Sequence, residues 1–139
     1  MKETLSADDR KAIVAYRLEK ANEALSEARF TADAELYNLA INRLYYACYY
    51  AASAILIQNK IIANTHAGVK TQFHLHYIKE QILPREDGTT LSLLFNLRHS
   101  GDYEDFVECD SQMVKIYLPR AEKFIQDIMT LIKANAVSK

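Results

Sequence analysis

The chain has 139 residues, half of them hydrophobic, and its 17 basic and 18 acidic side chains leave a net charge of −1. This length predicts one domain, residues 1–139 with a core of about 6–136, and the balanced charge excludes a strong field drawing the whole surface to nucleic acid or anionic lipid. The first residues lack the apolar segment of a secretory signal, and the longest uncharged run, Leu44 to Asn59, is shorter than the ~20 residues that span a bilayer, so we expect a cytoplasmic protein with no membrane segment.

The fold class is predicted from the scarcity of helix-breaking residues. Only three glycines and two prolines interrupt the chain, and no alternation of polar and apolar residues is long enough for a strand, so we predict an all-α domain. A first helix should begin in the cap region Ser6 to Asp9. Its expected core residues recur at three- and four-residue spacing: Ile13, Tyr16, Leu18, Ala21, Leu25 and Ala28.

The second helix is predicted from about Asp33 to Asn59. Its central stretch, AINRLYYACYYAASAIL from Ala40 to Leu56, is rich in alanine and apolar on nearly every side, which favours a buried central helix. Four tyrosines would then lie inside the protein: Tyr45, Tyr46, Tyr49 and Tyr50. A buried phenol needs a hydrogen-bond partner, so we expect an organised polar seam within the bundle or at an interface.

The third helix should follow Thr65, a good N-cap, and run from about His66 to Ile82, with Pro84 closing it. The expected apolar contacts of this helix are Val69, Phe73, Tyr77 and Ile82. The next stretch, PREDGTT, has the composition of a turn. After it, Thr90 would cap a shorter helix that is rich in leucine.

The leucine-rich helix is expected to end at the Ser-Gly pair of residues 100–101. Its predicted apolar residues are Leu91, Leu93, Leu94, Phe95 and Leu97. The last helix would be capped by Asp110 or Ser111 and would reach about Ala136. Pro119 lies inside it, and a proline there removes a backbone hydrogen bond at a cost of ~3 kcal/mol, so we predict a kink or a break.

Five segments, in this order, resemble those of a known family: LEKANEALSEA, AINRLYYACYYAASAIL, THAGVKTQF, LFNLRHSGDYEDF and RAEKFIQDI. Together they resemble a HEPN-domain protein of the small stand-alone prokaryotic branch, over about Leu18 to Ile128. The resemblance implies an up-and-down bundle of four to five helices and a homodimer. It also implies a partnership with a minimal nucleotidyltransferase encoded beside the HEPN gene.

The functional motif of many HEPN proteins is an arginine followed, after four to six residues, by a histidine. In the RNA-cleaving members the histidine transfers protons and the arginine holds the phosphate, which suits a group titrating near neutral pH and a bidentate cation. On this sequence the arginine is Arg98, and Tyr103 stands where the histidine should be. A phenol with a pKa near ~10 is a poor base at pH 7. His99 does not repair the motif, because neighbouring side chains on a helix diverge.

The candidate catalytic residues are therefore Arg98, His99 and Tyr103, with no complete proton-transfer pair among them. A pocket for phosphate or nucleotide is expected from the arginines and their polar neighbours. Its candidate residues are Asn42, Arg43, Tyr46, Arg98, Asp102 and Tyr103.

One face of the second helix could meet Arg98, since an arginine within an apolar helix is rarely buried without a partner. Arg43 and Tyr46, three residues apart, lie on that face. A structural alternative stays open, in which Arg98 pairs with Asp102 or Asp105 at a helix end. The tyrosines of the second helix could likewise be core packing alone.

No metal or cofactor is predicted. Three histidines of the third helix region are interpreted as exposed polar side chains: His66, His74 and His76. His74 and His76 face opposite sides of a helix, and no carboxylate stands at a matching offset to complete a site. Cys48 and Cys109 lack metal-ligand spacing and are expected to be reduced and structural.

The sequence thus favours a HEPN module that interacts with nucleotide or RNA, as one half of a toxin–antitoxin-like system with a nucleotidyltransferase. Ribonuclease activity is expected to be absent or very weak, because a proton-transfer histidine typically contributes 10²- to 10⁴-fold. Two alternatives stay open: a metal-independent ribonuclease toxin with a degenerate Arg-x4-Tyr motif, and a purely structural bundle. The segment RHSGDYEDF, residues 98–106, could dock the partner, with Tyr103 beside Arg98 as the acceptor of a nucleotide.

Overall fold

The computed structural model describes residues 5–103 and 108–137, without the side chains of residues 99–103. Its five α-helices are α1 (Ala7–Asp33), α2 (Tyr37–Gln58), α3 (His66–Phe73), α4 (Arg85–Tyr103) and α5 (Ser111–Val137). A π-helical segment, His74–Ile78, continues α3. The residues described contain no strand, so the prediction of an all-α fold is confirmed.

Helix α2 lies at the centre and packs against α1, α3, α4 and α5. Helix α1 runs antiparallel to it, since Arg10 at the start of α1 donates to the carbonyl oxygen of Ile57 at the end of α2 (2.9 Å). Helix α5 runs parallel to α2, because Asn38 Oδ1 at one end accepts the backbone N–H that precedes α5. At the other end, Gln58 Nε2 donates to the carbonyl oxygen of Ile132 (3.0 Å).

Helix α4 runs antiparallel to α5. Arg120 Nε donates to Thr90 Oγ1 (3.1 Å), and one turn further along α5 the Nζ atom of Lys123 lies 4.0 Å from Asp87 Oδ1, one turn back along α4. The four long helices α1, α2, α4 and α5 therefore alternate in direction. This is the up-and-down bundle that the family resemblance implied.

Alanines are frequent among the buried side chains of α1 and α2. Those with no exposed surface are Ala21 of α1 and Ala40, Ala47, Ala51, Ala52 and Ala54 of α2. Small side chains let two helix axes approach closely, and the prediction of a buried central helix is confirmed. Tyr45 is buried, at 1% exposure, whereas Tyr46, Tyr49 and Tyr50 are half-buried.

Short-range signals placed the predicted helix starts correctly. Ser6 Oγ accepts the N–H of Asp9, and Thr65 Oγ1 accepts the N–H of Gly68, so the first and third helices begin at their predicted N-caps. Asp110 Oδ1 likewise accepts the N–H of Met113 in the first turn of α5. The start of α2 was predicted too early, because Glu35 adopts a left-handed conformation (φ 63°) that ends α1 and delays α2 to Tyr37.

The boundaries predicted for α4 were wrong at both ends. Of the PREDGTT stretch, Pro84 lies just before α4 and the other six residues form the first turns of the helix. A proline at this place and acidic residues in the first turn favour the start of a helix. Gly88 sits inside the helix because a Cβ there would lie 2.9 Å from Cγ1 of Ile78 and 3.0 Å from Nε2 of His74. The backbone also stays helical through residues 100–101 to Tyr103, since a glycine costs a helix only about 1 kcal/mol.

Helix α5 is continuous from Ser111 to Val137, so the predicted break at Pro119 is wrong. Pro119 is exposed, and so is Lys115 four residues before it. The carbonyl group that loses its intrahelical partner therefore belongs to the solvent side of the helix, where water satisfies it. Packing of the opposite face against α2 offsets the cost of the proline.

Three side chains assigned to the core are exposed, namely Tyr16, Ile82 and Leu93. Val14 is buried instead of Tyr16, and Leu83 is buried instead of Ile82. The helical spacing of α3, continued to Ile82, wrongly predicts a buried side chain there. The π-helical segment changes the number of residues per turn, and the chain leaves the helix before Ile82.

None of the described helices is long and apolar enough to cross a membrane. Both cysteines are free thiols, Cys48 fully buried in α2 and Cys109 half-buried before α5. Burial raises the pKa of the Cys48 thiol far above its usual value, which keeps it uncharged and unreactive.

Candidate functional site

The ring of Tyr46 contacts two arginines from different parts of the chain. The guanidinium carbon of Arg43 is 5.0 Å from the ring centroid, and that of Arg98 is 5.4 Å from it. Arg98 Nε also donates to the Tyr46 hydroxyl oxygen (3.1 Å). The predicted meeting of this face of α2 with Arg98 is therefore observed, and Tyr46 holds the α4 guanidinium through one nitrogen and through its ring.

Arg43 is oriented by its sequence neighbour. Its Nε and one terminal nitrogen donate to Asn42 Oδ1 at 3.2 and 2.8 Å, while the other terminal nitrogen lies 3.2 Å from Glu27 Oε1 on α1. The Glu27 side chain is 55% exposed, so this ion pair is of the surface kind that contributes little to stability.

The structure thus brings together four of the residues proposed for phosphate binding: Asn42, Arg43, Tyr46 and Arg98. The side chains of Asp102, Tyr103 and His99 lie outside the described residues, as does Asp105. Their predicted roles in binding or catalysis therefore stay predictions.

Beside this cluster, the buried hydroxyl of Tyr45 lies 2.8 Å from Nδ1 of His66 at the start of α3. Burial raises the pKa of Tyr45 well above the usual value for a phenol, and the charge of Arg98, whose guanidinium carbon is 5.9 Å from the ring, opposes this only in part. Tyr45 is therefore a neutral hydroxyl that can donate to His66 or accept from it. This contact is part of the polar seam expected from the tyrosines.

His66 is enclosed by aromatic rings rather than exposed. It stacks on Tyr49 with ring centroids 4.2 Å apart and planes 6° from parallel, and the Tyr46 ring meets it edge-on at 5.7 Å. His74 and His76 are half-buried and hydrogen-bonded as well, so the interpretation of the three histidines as exposed side chains was wrong. His66 was missed as a site residue, although Tyr45 and Tyr49, four residues apart on one face, were a signal that a partner should meet them.

The sequence profile of the HEPN domain matches residues 14–131, which is most of the chain. This chain belongs to the HEPN domain family. A protein of Thermotoga maritima named "UPF0332 protein" is 31% identical over 126 residues, covering 91% of this chain and 96% of that protein. From Methanocaldococcus jannaschii, "Putative toxin MJ0605" is 30% identical over 135 residues, 93% of this chain and 100% of its own, and "Putative toxin MJ0142" is 27% identical over 108 residues, 78% of this chain and 74% of its own.

A second unusual group of this HEPN domain is a buried carboxyl on α4, away from the arginines. Asp87 is 1% exposed, and as a carboxylate neither of its oxygens has a hydrogen-bond donor among the described residues. Burial, and next the neighbouring carboxylate of Asp127, raise the pKa of Asp87 to about 8, while Lys123 lowers it in part. The protonated carboxyl can donate to Asp127, and this contact lowers the pKa of Asp127.

The HEPN domain has no cluster of three or more histidine, cysteine or acidic side chains that could hold a metal ion within its described part. His74 bonds to the carbonyl oxygens of Lys70 and Gly88 at 2.8 and 3.0 Å. This ties the π-helical segment to the start of α4. The role of His74 in the HEPN domain is structural, and its contacts differ from those of His66.

Proposed function

We propose that this HEPN domain is a toxin-like module that binds the phosphate of a nucleotide or of RNA through Arg98, next to Arg43 and Tyr46. The observation that carries the proposal is the hydrogen bond from Arg98 Nε to the Tyr46 hydroxyl. This bond orients a guanidinium group, whose planar, paired N–H donors match the oxygens of a phosphate. Two relatives bear the name "Putative toxin", which supports the toxin-like part of the proposal.

Arg43 supplies the second positive charge of the proposed site. Its carboxylate partner, Glu27, is largely exposed, so a phosphate can replace Glu27 at little cost. Both guanidinium groups contact the same ring, so two cations lie next to one aromatic side chain. A nucleotide base could also stack on these aromatic side chains, which adds affinity without sequence preference.

The first test replaces Arg98 with alanine. We expect the affinity for a short fluorescent RNA, measured by anisotropy at low salt, to fall about 10- to 100-fold, because hydrogen bonds to charged groups contribute roughly 1.5–3 kcal/mol. The matched control is Arg29→Ala, which removes an exposed arginine paired with Glu122 on another surface and should change affinity little. Equal binding by wild type and the Arg98 variant would reject the site.

We further propose that the module works as a homodimer with a nucleotidyltransferase partner. Large exposed apolar side chains near the α1–α2 connection, including Phe30, Leu36 and Leu39, support burial in an interface. Light scattering should give the mass of a dimer at micromolar concentration. Co-purification with the product of the neighbouring gene, followed by mass spectrometry after addition of ATP, tests the partnership and the role of Tyr103 as nucleotide acceptor; a monomer, a partner that does not associate, or an unmodified Tyr103 would each remove the corresponding part.

One observation favours the ribonuclease alternative over a purely structural bundle. The motif lacks a histidine at position 103, but a histidine from another helix, His66, contacts the same tyrosines as Arg98.

A further inference from the structure

A cavity of about 610 Å³ opens at the end of the bundle where the start of α1 meets the ends of α2 and α5. Its lining residues lie between Leu5 and Leu18, at Gln58 and Lys60, and between Ile132 and Ala136. Gln58 follows Tyr46 by twelve residues on α2, which is about 18 Å along the helix. The cavity is therefore separate from the arginine cluster around Tyr46.

Hydrogen bonds hold α1 and α5 against α2 at this end of the bundle. Arg10 donates to the carbonyl oxygen of Ile57 (2.9 Å), and Asn135 Nδ2 donates to Gln58 Oε1 (2.9 Å). Alanines in the lining leave space between the helices they belong to: Ala7 and Ala15 of α1, and Ala136 of α5. The cavity is thus framed by helices in fixed positions, as small-molecule sites usually are.

The buried part of the lining is apolar and the exposed part is cationic. Val14 and Ile132 are buried, and Leu18 is half-buried. Four lining residues are basic and only Asp8 is acidic, although the whole chain has 17 basic and 18 acidic side chains. Each of the three regions contributes one exposed lysine: Lys11, Lys60 and Lys133. The balanced charge of the chain is therefore locally positive around this cavity.

We propose that the cavity binds an anionic amphiphile, a small molecule with an apolar tail and one carboxylate or phosphate head group. The tail lies against Val14, Leu18 and Ile132, and the head group lies among the exposed lysines. The cavity volume falls within the range of about 300–1,000 Å³ that is typical of small-ligand sites. The fourteen lining residues are fewer than the roughly 20–30 residues that one protein contributes to a standard protein interface, which favours a small molecule over a protein.

The two parts of the lining have different roles in this binding. Burial of methylene groups supplies most of the affinity, since the tail leaves water for an apolar wall. The lysines select the sign of the head group, because a positive rim attracts an anion and repels a cation. The inference does not depend on the proposed phosphate binding by Arg98.

The first test titrates the full-length protein with octanoate, below the concentration at which it forms micelles, and follows the backbone amides by NMR. We expect saturable binding of one octanoate per chain, with the largest chemical-shift changes near Val14, Leu18 and Ile132. Decanoate should bind about tenfold more tightly, because two further methylene groups are buried. Octylammonium and 1-octanol, which have the same tail, should bind at least about tenfold more weakly than octanoate.

The second test removes charge from the rim. Lys11→Gln combined with Lys133→Gln should weaken octanoate binding at least about fivefold and leave 1-octanol binding unchanged. The matched control is Lys79→Gln combined with Lys115→Gln, which removes two exposed lysines that lie outside the cavity lining and should leave both affinities unchanged.

The third test fills the apolar part of the cavity. Ala15→Phe should abolish the binding of octanoate and of 1-octanol alike. Ala12→Phe is the control, because Ala12 is exposed on the same helix and does not line the cavity. Thermal unfolding shows that each variant is folded.

Absence of saturable octanoate binding would overturn the proposal, and so would equal affinity for octanoate and octylammonium. Unchanged octanoate binding by both the double lysine variant and Ala15→Phe would also overturn it. Sedimentation of the protein with phosphatidylglycerol vesicles, without binding of octanoate in solution, would replace the small-molecule site by a membrane surface.

Discussion

Asp87→Asn is expected to stabilise the protein at pH 8 and to remove most of the pH dependence of its stability between pH 5 and 8. The folded-state pKa of Asp87 is about 8, above the ordinary 3.8. Between these values the folded state binds one proton more than the unfolded state, so the free energy of unfolding falls as pH rises. Asparagine mimics the protonated acid and can donate to Asp127. We expect a gain of about 2–4 kcal/mol at pH 8, measured by urea unfolding.

A matched control for this experiment is Glu19→Gln, which removes an exposed carboxylate from the middle of α1. It should change stability by less than about 0.5 kcal/mol at either pH. The comparison is confined to pH 5–8, because the contribution of Asp127, whose folded pKa is lowered, is lost only as pH falls through more acidic values. If the wild-type protein were equally stable at pH 5 and pH 8, Asp87 would be a carboxylate in the folded protein, which would contradict this prediction.

Phe124→Ala is expected to produce the largest loss of stability among simple core truncations. Phe124 of α5 has no exposed surface, and its ring lies 5.2 Å from that of Phe73 at the end of α3. Removing it leaves a cavity between two elements that are already packed, at a cost of about 3–5 kcal/mol in the free energy of unfolding.

The control for this truncation lies on the same helix. Ile116 is 45% exposed, so Ile116→Ala removes apolar atoms from the same helix without opening an enclosed cavity and should cost less than about 1 kcal/mol. Both variants can be measured by thermal and denaturant unfolding. Similar losses for the two would contradict the assignment of Phe124 to a closely packed core.

The fold could be predicted where the determining interactions are local. Ser6 and Thr65 cap helices through contacts three residues away, and the alanine-rich stretch of α2 identifies its own burial. The limits of α4 could not be predicted in this way, because Gly88 is required by atoms of His74 and Ile78 that lie ten or more residues back in the chain. The composition of the PREDGTT stretch predicts a turn, but tertiary packing stabilises a helix at this place.

The candidate site, too, could be predicted only where its residues are close in sequence. Arg43 and Tyr46 share a helix face, and that spacing was enough to predict a meeting with Arg98, which the structure contains. His66 could not be assigned, because its position depends on how α3 docks against Tyr45 and Tyr49. The sequence places His66 directly after the helix cap Thr65, and local reasoning therefore predicts an exposed polar side chain.

The central position of α2 has a consequence for the order in which the protein acquires its activity. Helices α1 and α2 share the largest helix interface and are joined by a connection of three residues, so closing this hairpin costs little chain entropy, and we expect it to form early in folding. Tyr45 and Tyr46 belong to that hairpin, whereas His66 and Arg98 arrive with segments that close later. A chain still emerging from the ribosome would therefore carry the tyrosines without the arginine of the proposed phosphate site, and the proposed function would begin only once α4 has docked.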